Sequence, residues 1–558
     1  MTSGPGDAAA ARKVRGAFFT PAPLCKYVAE WAVRTAGDKV LEPSCGEAAF
    51  LLAAGERLEV LAGTAGSGRG HIDGVEVHER SARQAEQLVR AAARDVAVHV
   101  RVGDFFALTP TGAYDAVIGN PPYVRYQDFN GDARSRGREA ALRAGVPLTN
   151  LASSWAAFTV HSALFLRTGG RLGLVLPAEL LTVNYAAEVR KFLTERFAKV
   201  RLVLFAERVF PGVLEEVVLV LADGYRQGPA EHCELHQVRA AEDLAASAGV
   251  ARRWKPATAD GKWTPALMST SALAAYTGVE AAPGFTTLSC WGETTLGMVT
   301  GNNRFFAMSP ARAGELGLQR SDLLAVSPPG SRHLRDLVFS GAAYAAMGVA
   351  GAATVLFRPA GEPSPQARAY IGAGERLGVD AAYKCKVRSP WWRVPLVKPA
   401  DLLVTYMNAD TPRLCANRAG VHHLNSVHGI YLQPGLRRLG MNLLSLASLN
   451  SMTMAGAEVV GRAYGGGLLK LEPREADRLP VPAPDLLRAA GPALSAVRVR
   501  VAALLRLDGG LLEASKVVDE VLLAGALGLS GGDINSLRDA HIELAARRTA
   551  RGRSQPRP

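Results

Sequence analysis

From about residue 16 to residue 225 the apolar positions come in short runs of strand length, separated by stretches with helical spacing. That alternation marks βα units and a mostly parallel sheet. VLEPSCGEAAFLL predicts a buried strand (Val40, Leu41), a tight turn (Ser44, Cys45, Gly46) and the start of a helix (Ala48 to Leu52). HIDGVEVHE, VRVGDFFAL and YDAVIGNPPY supply a second, third and fourth strand. SSWAAFTVHSALFLRTGG predicts an amphipathic helix stopped at Gly169-Gly170. RLGLVLPAELL is then a strand, AAEVRKFLTERF a helix, VRLVLFAE a strand, and EEVVLVLAD the strand that closes the sheet. The expected fold is α/β, with a doubly wound, Rossmann-like sheet over 16–225. Beyond about residue 226 the periodicity weakens into mixed α+β signals that run to 485. A helical segment follows over 486–545, then a basic, disordered tail over 546–558. Residues 1–15 read as a flexible N-terminal tail.

In a doubly wound sheet, ligands sit outside the carboxyl ends of the strands. Here those ends carry polar groups in order. Glu42 closes the first strand, or serves as a charge at a helix N-terminus. Glu76 closes the second, where a carboxylate can take both hydroxyls of a ribose. Asp104 and Phe105 follow the third: an acceptor for an adenine amino group beside an aromatic face, or an ordinary turn.

The fourth strand runs straight into Asn120-Pro121-Pro122-Tyr123. An exocyclic amino group on an aromatic ring is a poor nucleophile, because its lone pair is delocalised. An Asn side-chain oxygen and the carbonyl of the next Pro can both accept hydrogen bonds from that NH2. They pull the nitrogen toward sp3 geometry and localise the lone pair. The prolines stiffen the loop, so the acceptors are preorganised, and Tyr123 can stack on a planar substrate. The plain structural alternative is a Pro-rich turn closing a strand.

Taken together, these segments resemble an N6-adenine DNA methyltransferase in the gamma arrangement of the TaqI-like and Eco57I-like methylases. GAFFTPAPLCKYVAEWA matches the family's first, FxTP-containing segment. The resemblance is strong over about 14–225 and continues more loosely to about 485 through VTGNNRFFAMSP, NRAGVHHLNSVHGIYL and GRAYGGGLLKLEP. It implies a catalytic domain over 16–225 with an S-adenosylmethionine-dependent methyltransferase sheet, and a DNA target-recognition region over 226–485. It implies that Phe19, Thr20, Glu42, Ser44, Cys45, Gly46, Glu76, Val77, Asp104 and Phe105 line the S-adenosylmethionine pocket. Asn120, Pro121, Pro122 and Tyr123 would hold the target base, and Phe210, in AERVFPGVLEE, would stack on its other face or serve as a core Phe before a turn. Ala48 stands where the family's glycine-rich loop has a second glycine. Its lesser backbone freedom bears on the geometry around the cofactor's methionine moiety. The implied partner is double-stranded DNA, with a separate restriction endonuclease or defence proteins as companions. The implied compartment is the bacterial cytoplasm, on the nucleoid.

A net charge of +13 suits a polyanionic partner; an Arg-rich composition is the alternative, and agreement with the tetrapeptide favours the nucleic-acid reading. QDFNGDARSRGREAALRAGVPLTN, with Arg134 and Arg136, is either a mobile loop that folds over DNA or a solvated connection. In YKCKVRSPWWRVPLVKP, Lys384, Lys386 and Arg388 interleave with Trp391 and Trp392: a phosphate-and-base surface, or core tryptophans with a solvated face. The three glycines of GRAYGGGLL admit close backbone approach, by DNA or by another strand. The six scattered cysteines form no CxxC pair, and His422, His423 and His428 read as loop histidines, so no metal site is expected. No signal peptide or membrane-spanning run is expected either. The rival functions are N4-cytosine DNA methylation, N6-adenine RNA methylation, glutamine methylation and a non-catalytic DNA-binding subunit. The N4-cytosine group more often has Ser at the first position of the tetrapeptide, and a non-catalytic subunit predicts a degraded pocket.

Overall fold

Short apolar runs at the start of the chain pair as the parallel half of a nine-stranded sheet. The computed structural model describes residues 20–65, 69–207, 209–210, 216–245 and 251–553. The tail expected over 1–15, and Phe19, lie outside them. The chain forms two compact units, 1–267 and 268–558. The strands of the first are β1 (Lys39–Glu42), β2 (His71–Glu76), β3 (Ala97–Val102), β4 (Tyr114–Gly119), β5 (Leu166–Pro177), β6 (Phe197–Phe205), β7 (Val217–Tyr225), β8 (Cys233–Val238) and β9 (Arg252–Trp254). Their order across the sheet is β3-β2-β1-β4-β5-β7-β6-β8-β9. β1 pairs parallel with both β2 and β4, so the winding direction reverses between β1 and β4. That switch point is where an open α/β sheet leaves a crevice at its strand ends. Helices α1 (Ala22–Ala32), α2 (Ala49–Ala65), α3 (Glu79–Ala92), α4 (Gly131–Leu142), α5 (Ser154–Leu164) and α6 (Ala187–Arg196) accompany it.

Several expectations are corrected. Helix α5 ends at Leu164, and the glycines lie in the bulged start of β5. The β4–β5 register jumps from Tyr114↔Leu166 to Ala116↔Arg171, and Gly169 takes φ +80° in the bulge. The helix is buried on every side rather than amphipathic, so no polar face marks its end. Strand β7 does not close the sheet but inserts antiparallel between β5 and β6. The sheet then continues through β8 and β9, so residue 225 lies inside the first unit, which runs to Leu267. Buried Arg190 shows why. It donates to the carbonyls of Leu180 (2.9 Å), Val183 (3.0 Å), Asp260 (3.0 Å) and Gly261 (2.6 Å), fastening 260–261 to the sheet's own helices. Finally, the segment after the Asn120–Tyr123 tetrapeptide is not loose. Its middle is helix α4, with Gly137, Ala140 and Ala141 buried.

In the second unit, β10 (Gly292–Leu296), β11 (Val338–Phe339), β12 (Leu402–Thr405), β13 (Leu414–Asn417) and β14 (Val427–Leu432) form a sheet of order β10-β14-β12-β13-β11. Helices α7 (Arg437–Ala447), α8 (Ser451–Val460), α9 (Pro484–Leu505), α10 (Leu511–Asp519) and α11 (Gly531–Arg553) follow. Among the described residues no single helix is long and apolar enough to cross a membrane. The pair α7–α8, bent by 90°, passes only on summed length and composition, and most of its residues are buried in the unit. His423 and His428 are core residues rather than loop histidines, and His428 Nε2 bonds the Leu471 carbonyl at 2.8 Å.

The basic tail expected from 546 is helical through Arg553. Its Arg548 is buried, because it meets buried Glu458 bidentately, Nε to Oε2 and Nη2 to Oε1 both at 2.9 Å, and also donates to the Gly467 carbonyl. The glycine run admits this helix: Gly467 takes φ +75°, and a Cβ there would lie 3.0 Å from the Thr549 Cα. Removing either partner of the Glu458–Arg548 pair leaves an uncompensated buried charge. Glu458→Ala and Arg548→Ala should therefore each destabilise the second unit by about 3–5 kcal/mol in denaturant unfolding. A loss below about 1 kcal/mol would show that the pair is not truly desolvated.

Candidate active site

Because β1 to β4 run parallel, Glu42, Glu76, Asp104 and Asn120 come to one edge of the sheet. The turn after β1 is tied to β2 by the Cys45 amide, which donates to the Val75 carbonyl at 2.9 Å. Gly46, at φ +47°, donates its amide to Glu76 Oε2 at 3.1 Å, and the His78 amide donates to Oε1 at 3.0 Å. Each carboxylate oxygen of Glu76 therefore takes one backbone N–H and keeps acceptor capacity for another donor. Val77, next along, is 62% exposed, leaving an apolar surface beside that carboxylate. Ser44 is half-buried and Cys45 buried.

Ala48 adopts φ +69°, the conformation a glycine would take. An alanine thus holds a left-handed turn position, at a cost of about 1–2 kcal/mol. Glu42 lies beneath this turn, buried, and its Oε2 accepts from the Leu51 amide at 3.1 Å at the start of α2. Burial pushes its carboxyl well above the usual range, and the charge of Glu76 adds to that.

Asp104 accepts from the Phe106 amide (3.0 Å) and, through Oδ2, from Arg136 Nε at 2.8 Å. The Phe105 ring is not an open aromatic face. It stacks on Phe158 (5.5 Å) and Phe165 (5.1 Å), with His161 edge-on at 4.7 Å. His161 is also buried; burial lowers its pKa to about 4, and its Nε2 lies 3.2 Å from the Phe105 carbonyl. The polar strand end was legible in the sequence, but the aromatic run FF belongs to the core behind it.

The catalytic-type loop is held from two sides. Thr20 Oγ accepts from Asn120 Nδ2 at 3.1 Å, joining the FxTP segment to the tetrapeptide. This orients the amide so that Asn120 Oδ1 is shielded from solvent and has no hydrogen-bond partner among the described residues. From the other side, Ser154 Oγ donates to the Pro122 carbonyl and accepts from the Val124 amide at 2.9 Å, while its own amide donates to the Val124 carbonyl at 3.0 Å. Tyr123 is anchored by its hydroxyl to the Val175 carbonyl at 3.0 Å. Ser154 was not singled out in the sequence. The available signal was the Ser-Ser pair opening an apolar helix, where side-chain hydrogen bonds commonly gather. Phe210 is 1% exposed in the core cluster against which Tyr123 packs, so it presents no open stacking face in this conformation.

The expected DNA-contacting residues divide sharply. Arg134 donates to the carbonyls of Phe129 and Tyr126, and Arg136 is paired with Asp104. Arg134 thus caps local backbone, while Arg136 ties α4 to the end of β3 and stays exposed. Trp392 is buried, and Trp391 packs against Phe305 (5.7 Å) and Phe306 (6.1 Å) while donating to Glu375 Oε1 at 3.1 Å. The tryptophans are core residues because the second unit fills a cluster of Phe305, Phe306 and Phe357 with them. Arg388 donates to the Val299 carbonyl at 2.5 Å. Lys384 and Lys386 remain exposed. Among the described residues, no group of His, Cys, Asp and Glu is placed to hold a metal ion.

Residues 7–233 match the N-6 DNA methylase family model. Residues 260–523 match the model of the C-terminal domain of the Type II methyltransferase M.Eco57I. The chain is similar to the Type II methyltransferase M.XamI of Xanthomonas campestris pv. amaranthicola, with 26% identity over 487 residues covering 85% of this chain and 86% of that one. It is similar to M.AccI of Acinetobacter calcoaceticus, with 22% identity over 477 residues covering 84% and 85%. Its fold is similar to that of the Type IIL restriction-modification enzyme MmeI, solved in complex with DNA: TM-score 0.50, 12% identity, 92% of this chain and 73% of that one covered.

Glu42 gives a pH test. Its folded pKa lies above the unfolded value of about 4.3. The folded state therefore holds a proton that the unfolded state has lost, and stability falls as pH rises from there through the folded pKa. Glu42→Gln keeps an acceptor for the Leu51 amide but cannot ionise. Its melting temperature should match the parent's near pH 4 and exceed it increasingly toward pH 8. Parallel curves across that range would mean that Glu42 ionises without penalty.

Proposed function

Since the chain belongs to the N-6 DNA methylase family, in the arrangement that carries an M.Eco57I-type C-terminal domain, we propose that it is a site-specific Type II DNA methyltransferase that methylates N6 of adenine in duplex DNA. The observation that carries this reading is the Asn120 side-chain oxygen: shielded, unpartnered and fixed at a strand end by Thr20. A buried acceptor without a donor is costly, about 1–3 kcal/mol, and is retained where a ligand supplies the donor. An adenine N6 amino group is such a donor. Asn120 Oδ1 and the Pro121 carbonyl accept from it, and Ser154 keeps the following backbone from yielding. A duplex adenine must leave the stack to reach them, at a cost of a few kcal/mol.

The residues at the neighbouring strand ends fit S-adenosylmethionine. Glu76 retains acceptor capacity for two ribose hydroxyls, Val77 offers an apolar surface, and the side-chain-free Gly46 turn leaves room for the amino-acid end. Asp104 takes the adenine amino group on the lone pairs that Arg136 and Phe106 leave. When bound, the cofactor supplies an activated methyl group; the protein's part is to position the base nitrogen and polarise it. The C-terminal unit reads the sequence, and a separate restriction endonuclease is the companion that such a modification enzyme protects against. Its substrate places the protein on DNA in the bacterial cytoplasm. Asn rather than Ser at the head of the tetrapeptide favours adenine over cytosine N4.

Asn120→Ala should abolish methyl transfer while leaving S-adenosylmethionine affinity near that of the parent, because Asn120 acts on the acceptor. Turnover and calorimetric affinity on one preparation check this; substantial turnover in the variant would remove the assignment. Glu76→Ala should weaken S-adenosylmethionine binding by about 1.5–3 kcal/mol, the range for hydrogen bonds to a charged group. Modification-sensitive long-read sequencing of host DNA identifies the base and site together, and N4-methylcytosine in place of N6-methyladenine would overturn the adenine reading.

A further inference from the structure

The second unit contains a cavity of about 690 Å³ that none of the residues discussed so far line. It is bounded by residues of α7 and α9, with Val338 of β11 and Arg418, just after β13. Its charged residues are Arg418, Arg438 and Arg498, and no carboxylate lines it. Arg418 Nη2 donates to the Asn442 side-chain oxygen at 2.5 Å, and Arg498 Nη2 donates to the Asn442 backbone carbonyl. Two guanidiniums thus converge on one neutral residue. Burial, and then the nearby charge of Arg418, lower the Arg498 pKa.

Neighbouring arginines are treated differently. Arg437 pairs with Asp401 at 2.6 Å, Arg413 with Asp410 at 2.9 Å, Arg488 with Asp485, and Arg506 with Asp336 at 3.6 Å. Among the described residues no ion pair is formed by Arg418, Arg438 or Arg498. Each guanidinium carries five N–H donors, and Asn442 takes one from each of only two of them. Three clustered cations without a counter-charge repel one another, and an anion relieves that repulsion. Phosphate fits best, because its oxygens match the guanidinium fork. No aromatic ring lines the cavity, so there is no platform for the base of a free nucleotide. The remaining walls, such as Leu439, Met441 and Pro492, suit the sugar edge of a strand.

We propose that Arg418, Arg438 and Arg498 form a socket for a backbone phosphate of the bound duplex, a contact distinct from the Lys384–Lys386 surface. The proposal rests on the DNA reading above. The socket positions DNA without reading its sequence, as phosphate contacts do.

The test uses the full chain. Duplex binding is followed by fluorescence anisotropy from 50 to roughly 300 mM salt, for the parent, the triple variant Arg418→Gln/Arg438→Gln/Arg498→Gln and the matching triple Lys variant. A duplex carrying the methylation site and an unrelated duplex are both measured. The Gln variant should weaken binding about tenfold or more on both duplexes alike and reduce the salt slope by about one. The Lys variant should keep the slope and lose part of the affinity. S-adenosylmethionine affinity should equal the parent's, and thermal stability should change little, because relief of like-charge repulsion offsets the hydrogen bonds to Asn442 that are lost. A Gln variant with the parent's slope and affinity would overturn the socket while leaving the DNA reading standing. Salt-dependent duplex binding absent from the parent itself would instead remove the DNA reading, and the socket with it. Calorimetry with inorganic phosphate and with adenosine monophosphate forms the last arm. Tight binding of either that is lost in the Gln variant, with duplex binding unchanged, would assign the cavity to a small anion and overturn the proposal.

Discussion

The parallel pairing of β1 with both β2 and β4 is the constraint on which the candidate site depends. Together with the parallel pairing of β2 and β3 it fixes the direction of four strands, so four sequence-distant loops open at one edge. It also reverses the winding between β1 and β4, which leaves the edge uncovered where those loops meet. Glu42, Glu76, Asp104 and Asn120 lie far apart in sequence, yet a single hydrogen-bonding register brings them together. β1, β2 and β4 are buried on consecutive residues, so a slip in that register would disrupt packing on both faces of the sheet, and the site geometry is protected by the core itself.

Around this edge the structure spends its polar groups on rigidity. Thr20 orients Asn120, Ser154 grips the backbone on both sides of Tyr123, and the Gly46 and His78 amides hold Glu76. Each of these keeps a side chain in place before any ligand arrives. Preorganisation of this kind matters most for a reaction that needs no strong acid or base and depends on aiming an acceptor at an amino group. In the proposed reaction that acceptor is the Asn120 oxygen, unpartnered among the described residues, together with the Pro121 carbonyl.

The basic composition has a different meaning once the side chains are placed. Arg134, Arg190 and Arg548 are fastened to backbone carbonyls, and Arg136 and Arg548 to carboxylates. Guanidinium groups with several fixed donors are well suited to satisfying carbonyls at helix ends and loop crossings. Much of the positive charge is therefore structural, and the arginines without an internal counter-charge stand out against it.

The sequence alone determined the existence of the first four strands, the acidic and amide residues at their ends, the tetrapeptide loop and the helical C-terminal segment. Those features are local: apolar period, Gly and Pro turns and residue type decide them. Only the tertiary structure decided that β7 inserts between β5 and β6, that the sheet extends to β9, and that Phe105, Phe210 and the Trp391–Trp392 pair belong to the core. It also decided that Ala48 can take a glycine's conformation and that Arg548 anchors the final helix. An aromatic or an arginine looks the same in sequence whether it faces a ligand or its own core. Which it does depends on partners far along the chain, such as Glu458 for Arg548 and Glu375 for Trp391, and those meet only when the fold closes.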